Sequence, residues 1–306
     1  MKRLTIFILT NIAAVATLTL VAHIVCALMG VDMRKIAGDG GLVPLAVFAL
    51  LLGFGGAMIS LMLSKTVVKL SMKCTTIDGS EGPAERWLVS TVKDLAKRAG
   101  IKTPEVAIYP GEANAFATGA RKDAALVAVS TGIIEQMEAG ELKAVLAHEI
   151  SHVANGDMVT MCLTQGVVNT FVIFFSYILA SVASGLLDGK QSNRNRRGGG
   201  NIFMYRMFAQ LFQFVLGLFA MIVLMWYSRK REYAADAGSA KLLGNPLPMI
   251  AALKRLGNLK PGILPESIKA FGIAGGMSSL FASHPSIEER IAALQNMPPD
   301  DYMSIS

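Results

Sequence analysis

Cysteine is scarce in this chain of 306 residues, which contains three: Cys26, Cys74 and Cys162. They are isolated and form no CxxC pair, so the sequence has no disulfide framework of the kind that small secreted proteins use. This usage fits a reducing compartment. We interpret the three thiols as small buried hydrophobic groups rather than metal ligands.

Charged residues are absent from four long apolar stretches, at positions 4–29, 42–63, 158–187 and 207–228. Each stretch reaches the roughly 20 residues that a helix needs to cross the hydrocarbon core of a bilayer. The first is too long for the apolar region of a signal peptide, which has about 7–15 residues, and no clear small-residue cleavage site follows it. We therefore predict four membrane-spanning helices, the first of them an uncleaved anchor.

The spans divide the chain into a transmembrane hairpin in 1–64, a polar block in 65–157, a second hairpin in 158–228 and a second polar block in 229–306. Basic residues near the span ends favour the cytoplasm for both polar blocks. They are Lys2, Arg3, Lys65, Lys69, Lys73 and Arg229-Lys230-Arg231. The basic loop 190–197 disagrees, because counting spans puts it outside. Either it crosses despite its charge, or the third and fourth spans do not fully traverse the bilayer.

No basic motif interleaved with aromatic residues is present, although the net charge is +7. The positive charge clusters beside the spans, where anionic lipid headgroups account for it. We therefore expect the lipid bilayer, and not nucleic acid, as a binding partner. The spans contain almost no ionisable residue apart from His23, which argues against a channel or transporter.

The peptide His148-Glu149-Ile150-Ser151-His152 lies in a stretch with apolar residues at helical spacing and no proline. Residues four apart lie on one face of a helix, so both imidazoles point to the same place, with Glu149 close by. Two nitrogen ligands for Zn²⁺ beside a carboxylate are typical of enzymes that hydrolyse peptide bonds. The alternative is an amphipathic helix with two unrelated histidines, although the chain has only four.

A catalytic zinc site usually has a third protein ligand and leaves a fourth position open. Glu232 and Asp236 are one helical turn apart, so one can bind metal while the other supports it. A ligating histidine normally donates its other N–H to a carboxylate, and Asp236 or Asp157 could accept it. We expect Glu232 to be the third ligand, because the second polar block returns from the membrane where the first left it. Alternatively, Glu232 pairs with Arg229-Lys230-Arg231.

The polar blocks show both strand and helix patterns. Residues 106–109 and 124–130 are rich in β-branched and apolar side chains, which indicates two strands. Helical spacing predicts helices at 83–100, 132–137 with Thr131 as its cap, 138–154 with Gly156 at its end, 233–243, 248–256 and 287–297. The predicted fold is mainly α with a small β-sheet (α+β), in a multi-span helical membrane protein with a cytoplasmic catalytic domain.

Further motifs accompany the metal motif: Asn155-Gly156-Asp157, Asn114-Ala115-Phe116-Ala117-Thr118-Gly119, and His284-Pro285 with Glu288-Glu289-Arg290. Over essentially its whole length, the chain resembles the membrane-bound HtpX-type zinc metallopeptidases, which are related to the CAAX prenyl proteases of the same gluzincin group. The resemblance implies a zincin-like catalytic domain in a protease of the bacterial inner membrane. Such an enzyme would cut damaged or misfolded membrane proteins on the cytoplasmic side, in stress response and quality control.

We expect one Zn²⁺ per chain, held by His148, His152 and Glu232, to polarise a water and the scissile carbonyl. Glu149 then acts as the general base and passes the proton to the leaving amine. These assignments join the metal motif to the third ligand in one hydrolytic mechanism.

Three further residues are candidates because they match the family. His284 and Arg290 are candidates to stabilise the oxyanion of the tetrahedral intermediate. Alternatively, they belong to the start of the helix at 287, with Pro285 near its first position and Arg290 solvated. Asn114 lies in a segment that resembles a substrate-facing edge strand, where an extended polypeptide could add to the sheet and Asn114 would hold its backbone. Alternatively, Asn114 is a turn residue.

Two other functions stay open. One is a more specialised prenyl-peptide protease of the CAAX type, although four spans are few for the membrane chamber that a lipid would need. The other is a non-catalytic membrane protein in which zinc clamps the two polar blocks together. Structural zinc sites usually have four protein ligands and often include cysteine, whereas Cys162, the nearest to the 148 helix, falls inside an apolar span. Glu149 is needed for catalysis but not for clamping.

Overall fold

The computed structural model describes residues 42–188, 199–258 and 284–303, together with Ile24. Within them the helices are α1 (Val43–Ser71), α2 (Pro83–Arg98), α3 (Thr131–Gln136), α4 (Ala139–Asn155), α5 (Asp157–Asp188), α6 (Gly199–Leu243), α7 (Leu247–Asn258), α8 (Ile287–Gln295) and α9 (Pro299–Met303). The strands are β1 (Thr75–Ile77), β2 (Glu105–Tyr109), β3 (Ala115–Thr118) and β4 (Leu126–Ser130). The fold is mainly helical with a small sheet, as predicted. The predicted span 4–29, apart from Ile24, and the basic loop 190–197 lie outside the described residues.

The chain divides into two compact units, and the first lies within Met1–Ile59 and Cys162–Val223. In it, α1 and α5 share a buried apolar cluster, which contains Leu42, Ala46, Ala49, Phe174 and Ile178. Three helices in the described part of the chain are long and apolar enough to cross a membrane, and they are α1, α5 and α6. These helices carry the second, third and fourth predicted spans. The chain is a multi-span helical membrane protein.

Helix α6 continues past its apolar stretch without a break, over 45 residues. We predicted a helix at 233–243, and these residues are helical and end at Leu243, but they continue the helix of the preceding apolar stretch. The run Arg229-Lys230-Arg231 ends the apolar stretch, but lysine and arginine are good helix formers and do not end a helix. As a consequence, Glu232 and Asp236 lie on the same helix as the last candidate span.

The second unit, within Ser60–Met161 and Leu224–Ser306, contains a four-stranded sheet in the order β1-β2-β4-β3. The central strands β2 and β4 pair in parallel, and the two outer pairings are antiparallel. The strands predicted at 106–109 and 124–130 match β2 and β4. Strand β1 has three residues, and all four residues of β3 are buried. Neither strand therefore shows the alternation by which a half-buried strand is detected.

Helix α4 lies in the core of the second unit, where it packs against α2, α7 and β3. It begins with a reciprocal capping box and ends at Gly156, whose φ of 76° lies in the left-handed region that glycine adopts readily. The short helix before it starts differently from the prediction. Ser130, rather than Thr131, caps α3, because the Ser130 Oγ accepts a hydrogen bond from the Ile133 N–H at 3.1 Å.

Candidate metal centre

Two histidines of α4 face each other one helical turn apart. The Nε2 atoms of His148 and His152 are 3.1 Å apart, and the rings are nearly perpendicular, at 86°. The Nδ1 atom of His148 lies 2.9 Å from Asp236 Oδ1. The Nδ1 atom of His152 lies 2.7 Å from Asp157 Oδ2. Because an ionised carboxylate only accepts hydrogen bonds, both Nδ1 atoms donate, and in the neutral ring, the form that binds a metal, each Nε2 atom has a free lone pair.

The Glu232 carboxylate on α6 completes a triangle with these two nitrogens. Its Oε1 lies 3.3 Å from His152 Nε2, and its Oε2 lies 3.6 Å from His148 Nε2. Ligand atoms of a tetrahedral Zn²⁺, bound at roughly 2.0–2.1 Å, are about 3.3 Å from one another. The two nitrogens are close to that spacing, at 3.1 Å, and each lies within 3.6 Å of an oxygen of Glu232; taken as one atom per residue, the three ligand atoms lie within 4.8 Å of one another.

The chemistry of the cluster also fits a cation. Two Nε2 lone pairs and a carboxylate converge, and Glu232 Oε2 makes no well-formed hydrogen bond with any described group. His284 Nδ1 and Arg290 Nη1 lie 2.9 and 3.4 Å from that oxygen, so the two facing Nε2 atoms beside the carboxylate, rather than this oxygen alone, indicate a cation. Two imidazoles and one carboxylate are a ligand set of catalytic zinc enzymes. His148, His152 and Glu232 therefore fit Zn²⁺.

A close approach of two helices brings Glu232 to α4. A Cβ added to Gly238 of α6 would lie 2.5 Å from the Ser151 Oγ of α4, so only glycine fits there. One residue further on, the Ser239 Oγ donates to the Ala144 carbonyl at 2.9 Å. Our reading of the sequence missed both contacts. The adjacent small residues Gly238-Ser239-Ala240 were the available signal.

Two arginines lie behind the aspartates. Arg290 of α8 donates from Nε to Asp236 Oδ2 at 2.7 Å and from Nη2 to Asp236 Oδ1 at 2.6 Å. Arg231 of α6 forms an ion pair with Asp157. The sequence left open which aspartate supports a histidine, and the structure places one behind each. Glu232 faces the histidines, while the neighbouring Arg231 turns to Asp157.

The alternative in which Arg290 is solvated is wrong, since Arg290 is 1% exposed. Helix α8 is capped by Ser286, whose Oγ accepts from the Glu289 N–H, so Pro285 precedes the cap and is not in the first turn. Both predicted oxyanion candidates lie beside Glu232 Oε2, His284 Nδ1 at 2.9 Å and Arg290 Nη1 at 3.4 Å. They differ in that the Arg290 guanidinium also donates to both oxygens of Asp236.

Glu149 lies between the two histidines in the sequence, and its side chain is buried. Burial raises the pKa of its carboxyl, while the nearby His148 and His152 act in the opposite direction. Its Oε1 atom has no hydrogen-bond partner in the part of the chain that the structure describes. A buried carboxylate oxygen without a donor, close to the histidine pair, is placed to accept a proton from water.

Asn114 directly precedes the edge strand β3. Its backbone N–H donates to Ser130 Oγ, and its carbonyl accepts from the Ser130 N–H, both at 2.9 Å. These bonds tie Asn114 to β4 in the manner of a strand residue rather than a free turn. Its side chain is 1% exposed, so a substrate does not reach it in this conformation.

A sequence model described as "Peptidase family M48" matches residues 83–298. Similar curated proteins include a "Protease HtpX homolog" of Acidovorax ebreus (strain TPSY). It is 49% identical over 296 residues, which cover 97% of this chain and 99% of the relative. The homolog of the same name from Janthinobacterium sp. (strain Marseille) is 50% identical over 300 residues, covering 97% and 100%.

A solved structure, "Crystal Structure of S. mikatae Ste24p", also resembles the chain. The TM-score is 0.54 at 19% sequence identity, and the match covers 94% of this chain and 65% of that one. At this identity the likeness concerns the fold alone.

Proposed function

The chain belongs to peptidase family M48 and is a membrane metallopeptidase, and we propose that it uses one Zn²⁺ to cleave damaged or misfolded membrane proteins. The observation that carries the proposal is the convergence of His148, His152 and Glu232 close to the buried Glu149 carboxylate. We place the reaction at the cytoplasmic face of the bacterial inner membrane.

The three converging residues would hold the metal through two Nε2 atoms and a carboxylate. When bound, Zn²⁺ supplies a Lewis acid that polarises a peptide carbonyl and makes water more acidic. Glu149 accepts the proton of the attacking water at Oε1 and delivers it to the leaving amine. Its burial keeps competing donors away from that oxygen, and its raised pKa makes it a better proton acceptor.

His284 is our candidate for stabilising the oxyanion. Neither ring nitrogen has a well-formed hydrogen bond to a described residue, and the side chain is largely buried at the metal cluster. A donor held in this way contributes to the transition state rather than to folding. We expect His284→Ala to lower kcat while zinc stays bound. Loss of zinc together with kcat would instead make His284 part of the metal site.

The membrane location rests on α6. Glu232 follows the apolar stretch 207–228 by four residues on the same helix, roughly 6 Å at the rise of an α-helix. Trp226 is half exposed, and Lys230 Nζ lies 4.0 Å from its ring centre. Tryptophan and lysine side chains of this kind are frequent at membrane interfaces, and flanking basic residues favour the cytoplasm. Polypeptide segments leaving the bilayer would therefore meet the site.

Strand β3 is our candidate for binding the substrate backbone. It is an edge strand and packs against α4, so an extended polypeptide paired with it would lie near the metal ligands. Recognition through the backbone favours broad specificity. Because β3 and Asn114 are buried, this pairing requires β3 to become exposed. If Asn114→Ala leaves both peptide affinity and turnover unchanged, Asn114 has no part in binding.

A purely structural zinc is the competing function. The cluster has three protein ligands among the described residues, where structural sites usually have four. The buried Glu149 oxygen would also serve no purpose in a structural site.

The test is zinc-dependent proteolysis. The protein is purified in detergent with a chelator, Zn²⁺ is added back, and cleavage of an unfolded membrane protein is followed. Glu149→Gln should bind zinc normally but lose activity by orders of magnitude, while Glu135→Gln, at an exposed carboxylate of α3, should not. Zinc binding without cleavage of several unfolded substrates by the unmodified protein would favour a structural site.

A further inference from the structure

Each histidine of the metal cluster begins a row of three side chains in contact with one another. The inner arm is His148–Asp236–Arg290, and the outer arm is His152–Asp157–Arg231. Both have the order histidine, aspartate, arginine. Every side chain of the inner arm is at most 2% exposed. In the outer arm the histidine is 13% and the arginine 19% exposed.

The inner arm has the tighter geometry. Arg290 donates hydrogen bonds to both oxygens of Asp236, at 2.6 and 2.7 Å, in the bidentate arrangement that a planar guanidinium forms with a carboxylate. The Oδ1 atom that accepts from Arg290 Nη2 is also the one that lies 2.9 Å from His148 Nδ1. The carboxylate therefore cannot rotate without breaking contacts to two partners. Its orientation fixes which way the His148 ring presents Nε2.

Arg290 lies in the first turns of helix α8, whose start is stabilised by its cap. Its capping box joins Ser286 and Glu289, so the turn that carries Arg290 is held at its start. The three members of the inner arm come from α4, α6 and α8. The arm therefore connects three helices that are distant in the sequence.

The third nitrogen of Arg290 also lies near the proposed ligands. Its Nη1 atom lies 3.4 Å from Glu232 Oε2, and the whole side chain is 1% exposed. The guanidinium thus contacts both the supporting carboxylate and one proposed ligand.

We propose that Arg290 is a positioning residue, which holds Asp236 and through it sets His148 for metal binding, rather than a donor to the oxyanion. This rests on the proposed function, because it assumes that the cluster binds Zn²⁺. A buried aspartate without its arginine would be an uncompensated charge. It would be free to turn away from the histidine.

The test measures Zn²⁺ affinity by competition with a chelator, in the Glu149→Gln background so that the protein does not cleave itself. Arg290→Lys keeps the positive charge, but a lysine cannot form the bidentate pair with the two Asp236 oxygens. It should weaken zinc binding by roughly 10- to 100-fold, the usual loss when the partner of a metal ligand is changed. Arg255→Lys is the control, since Arg255 makes a partly exposed ion pair with Glu141, and it should leave the affinity unchanged.

The visible spectrum of the Co²⁺-loaded protein gives a second readout, which reports coordination geometry and not fold stability. Arg290→Lys should change the intensity or position of the Co²⁺ bands, because His148 is no longer held. Arg255→Lys should not. Normal zinc affinity and an unchanged Co²⁺ spectrum in Arg290→Lys, with kcat lost in the otherwise unmodified enzyme, would place Arg290 at the substrate and overturn the proposal.

A double-mutant cycle tests whether Arg290 acts through Asp236. Asp236→Asn alone should weaken zinc binding, and Arg290→Lys should add little to that loss in the Asp236→Asn background. Equal losses in both backgrounds would overturn the proposal. If Arg290→Lys is not recovered folded, Arg290→Gln takes its place in the cycle. If the Glu149→Gln parent binds no zinc, the proposed function fails, which is a separate outcome from an additive cycle.

Discussion

The inner and outer arms contain the same three residue types, yet they differ in how they are built and in their contact with solvent. In the outer arm, Asp157 follows His152 by five positions, directly after the left-handed glycine that ends α4. In the inner arm, Asp236 and Arg290 come from helices far along the chain. One histidine is thus supported by local structure and the other by the packing of three helices.

This difference has an energetic consequence. Both aspartates are buried, but His152 and Arg231 at the two ends of the outer arm are 13% and 19% exposed, so water can replace part of a lost contact there, whereas it cannot in the inner arm. We therefore expect damage to the inner arm to cost more zinc affinity than the equivalent damage to the outer arm.

The largest loss of zinc affinity should follow substitution of Glu232, which lies beside the histidines of both arms. Glu232→Gln removes the carboxylate that faces both Nε2 atoms, and it should weaken zinc binding by more than about 100-fold, beyond the usual cost of changing a supporting partner. The measurement is chelator competition, with Glu135→Gln as the control. Zinc binding within threefold of wild type in Glu232→Gln would show that Glu232 is not a ligand.

The next effect should come from the helix contact that brings the inner arm together. Gly238→Ala forces a methyl group against Ser151, and it should lower stability by about 1–3 kcal/mol, the usual cost of overpacking, and weaken zinc binding. Apparent melting temperature in detergent measures the first effect.

Gly217→Ala is the control on the same helix, because among the described residues no heavy atom outside the local helix backbone would lie within 4 Å of the added carbon. It should not lower the melting temperature. Adding Ser151→Gly to Gly238→Ala should recover part of the loss. Equal melting temperatures for Gly238→Ala and wild type would mean that α4 and α6 do not need this close approach.

A direct comparison of the arms uses the two aspartates. Asp236→Asn should weaken zinc binding by up to about 100-fold, and Asp157→Asn by about 10-fold, the two ends of the usual range for such partners. Both are measured in the Glu149→Gln background. A greater loss in Asp157→Asn than in Asp236→Asn would reverse the proposed ranking.

The smallest effect should come from the end of the outer arm. Arg231→Lys keeps a positive charge beside Asp157, and the Arg231 side chain is 19% exposed where Arg290 is 1% exposed. Water can therefore replace part of the lost contact, so zinc affinity should fall by at most about fivefold, less than the usual loss for a partner that contacts the ligand directly. Chelator competition measures it. A loss as large as that of Arg290→Lys would remove the distinction between the arms.

The outer arm also shows what sequence can predict. Helical pitch places His148 and His152 on one face, and Gly156 marks the end of their helix, so most of this arm follows from local spacing. The spans follow from hydropathy in the same way. The apolar stretch of α6 was found for that reason, although its helix continues well past the charges that bound it.

The inner arm shows what sequence could not predict. Nothing in the pattern around Arg290 distinguishes a buried arginine from a solvated one, since its burial depends on how α8 packs. Strand β3 is buried on both faces, so its sequence shows no alternation of apolar and polar residues and the strand was not predicted. The resemblance to a known family indicated Arg290 and Asn114 as important without showing that both are buried.

The most direct test of the metal centre is zinc X-ray absorption spectroscopy, with metal analysis, on the zinc-loaded protein in detergent. We predict one zinc per chain with nitrogen and oxygen donors at roughly 2.0–2.1 Å, two of them imidazoles, and a changed coordination shell in Glu232→Gln. A sulfur donor near about 2.3 Å, or a shell that is identical in Glu232→Gln, would contradict the site described for His148, His152 and Glu232.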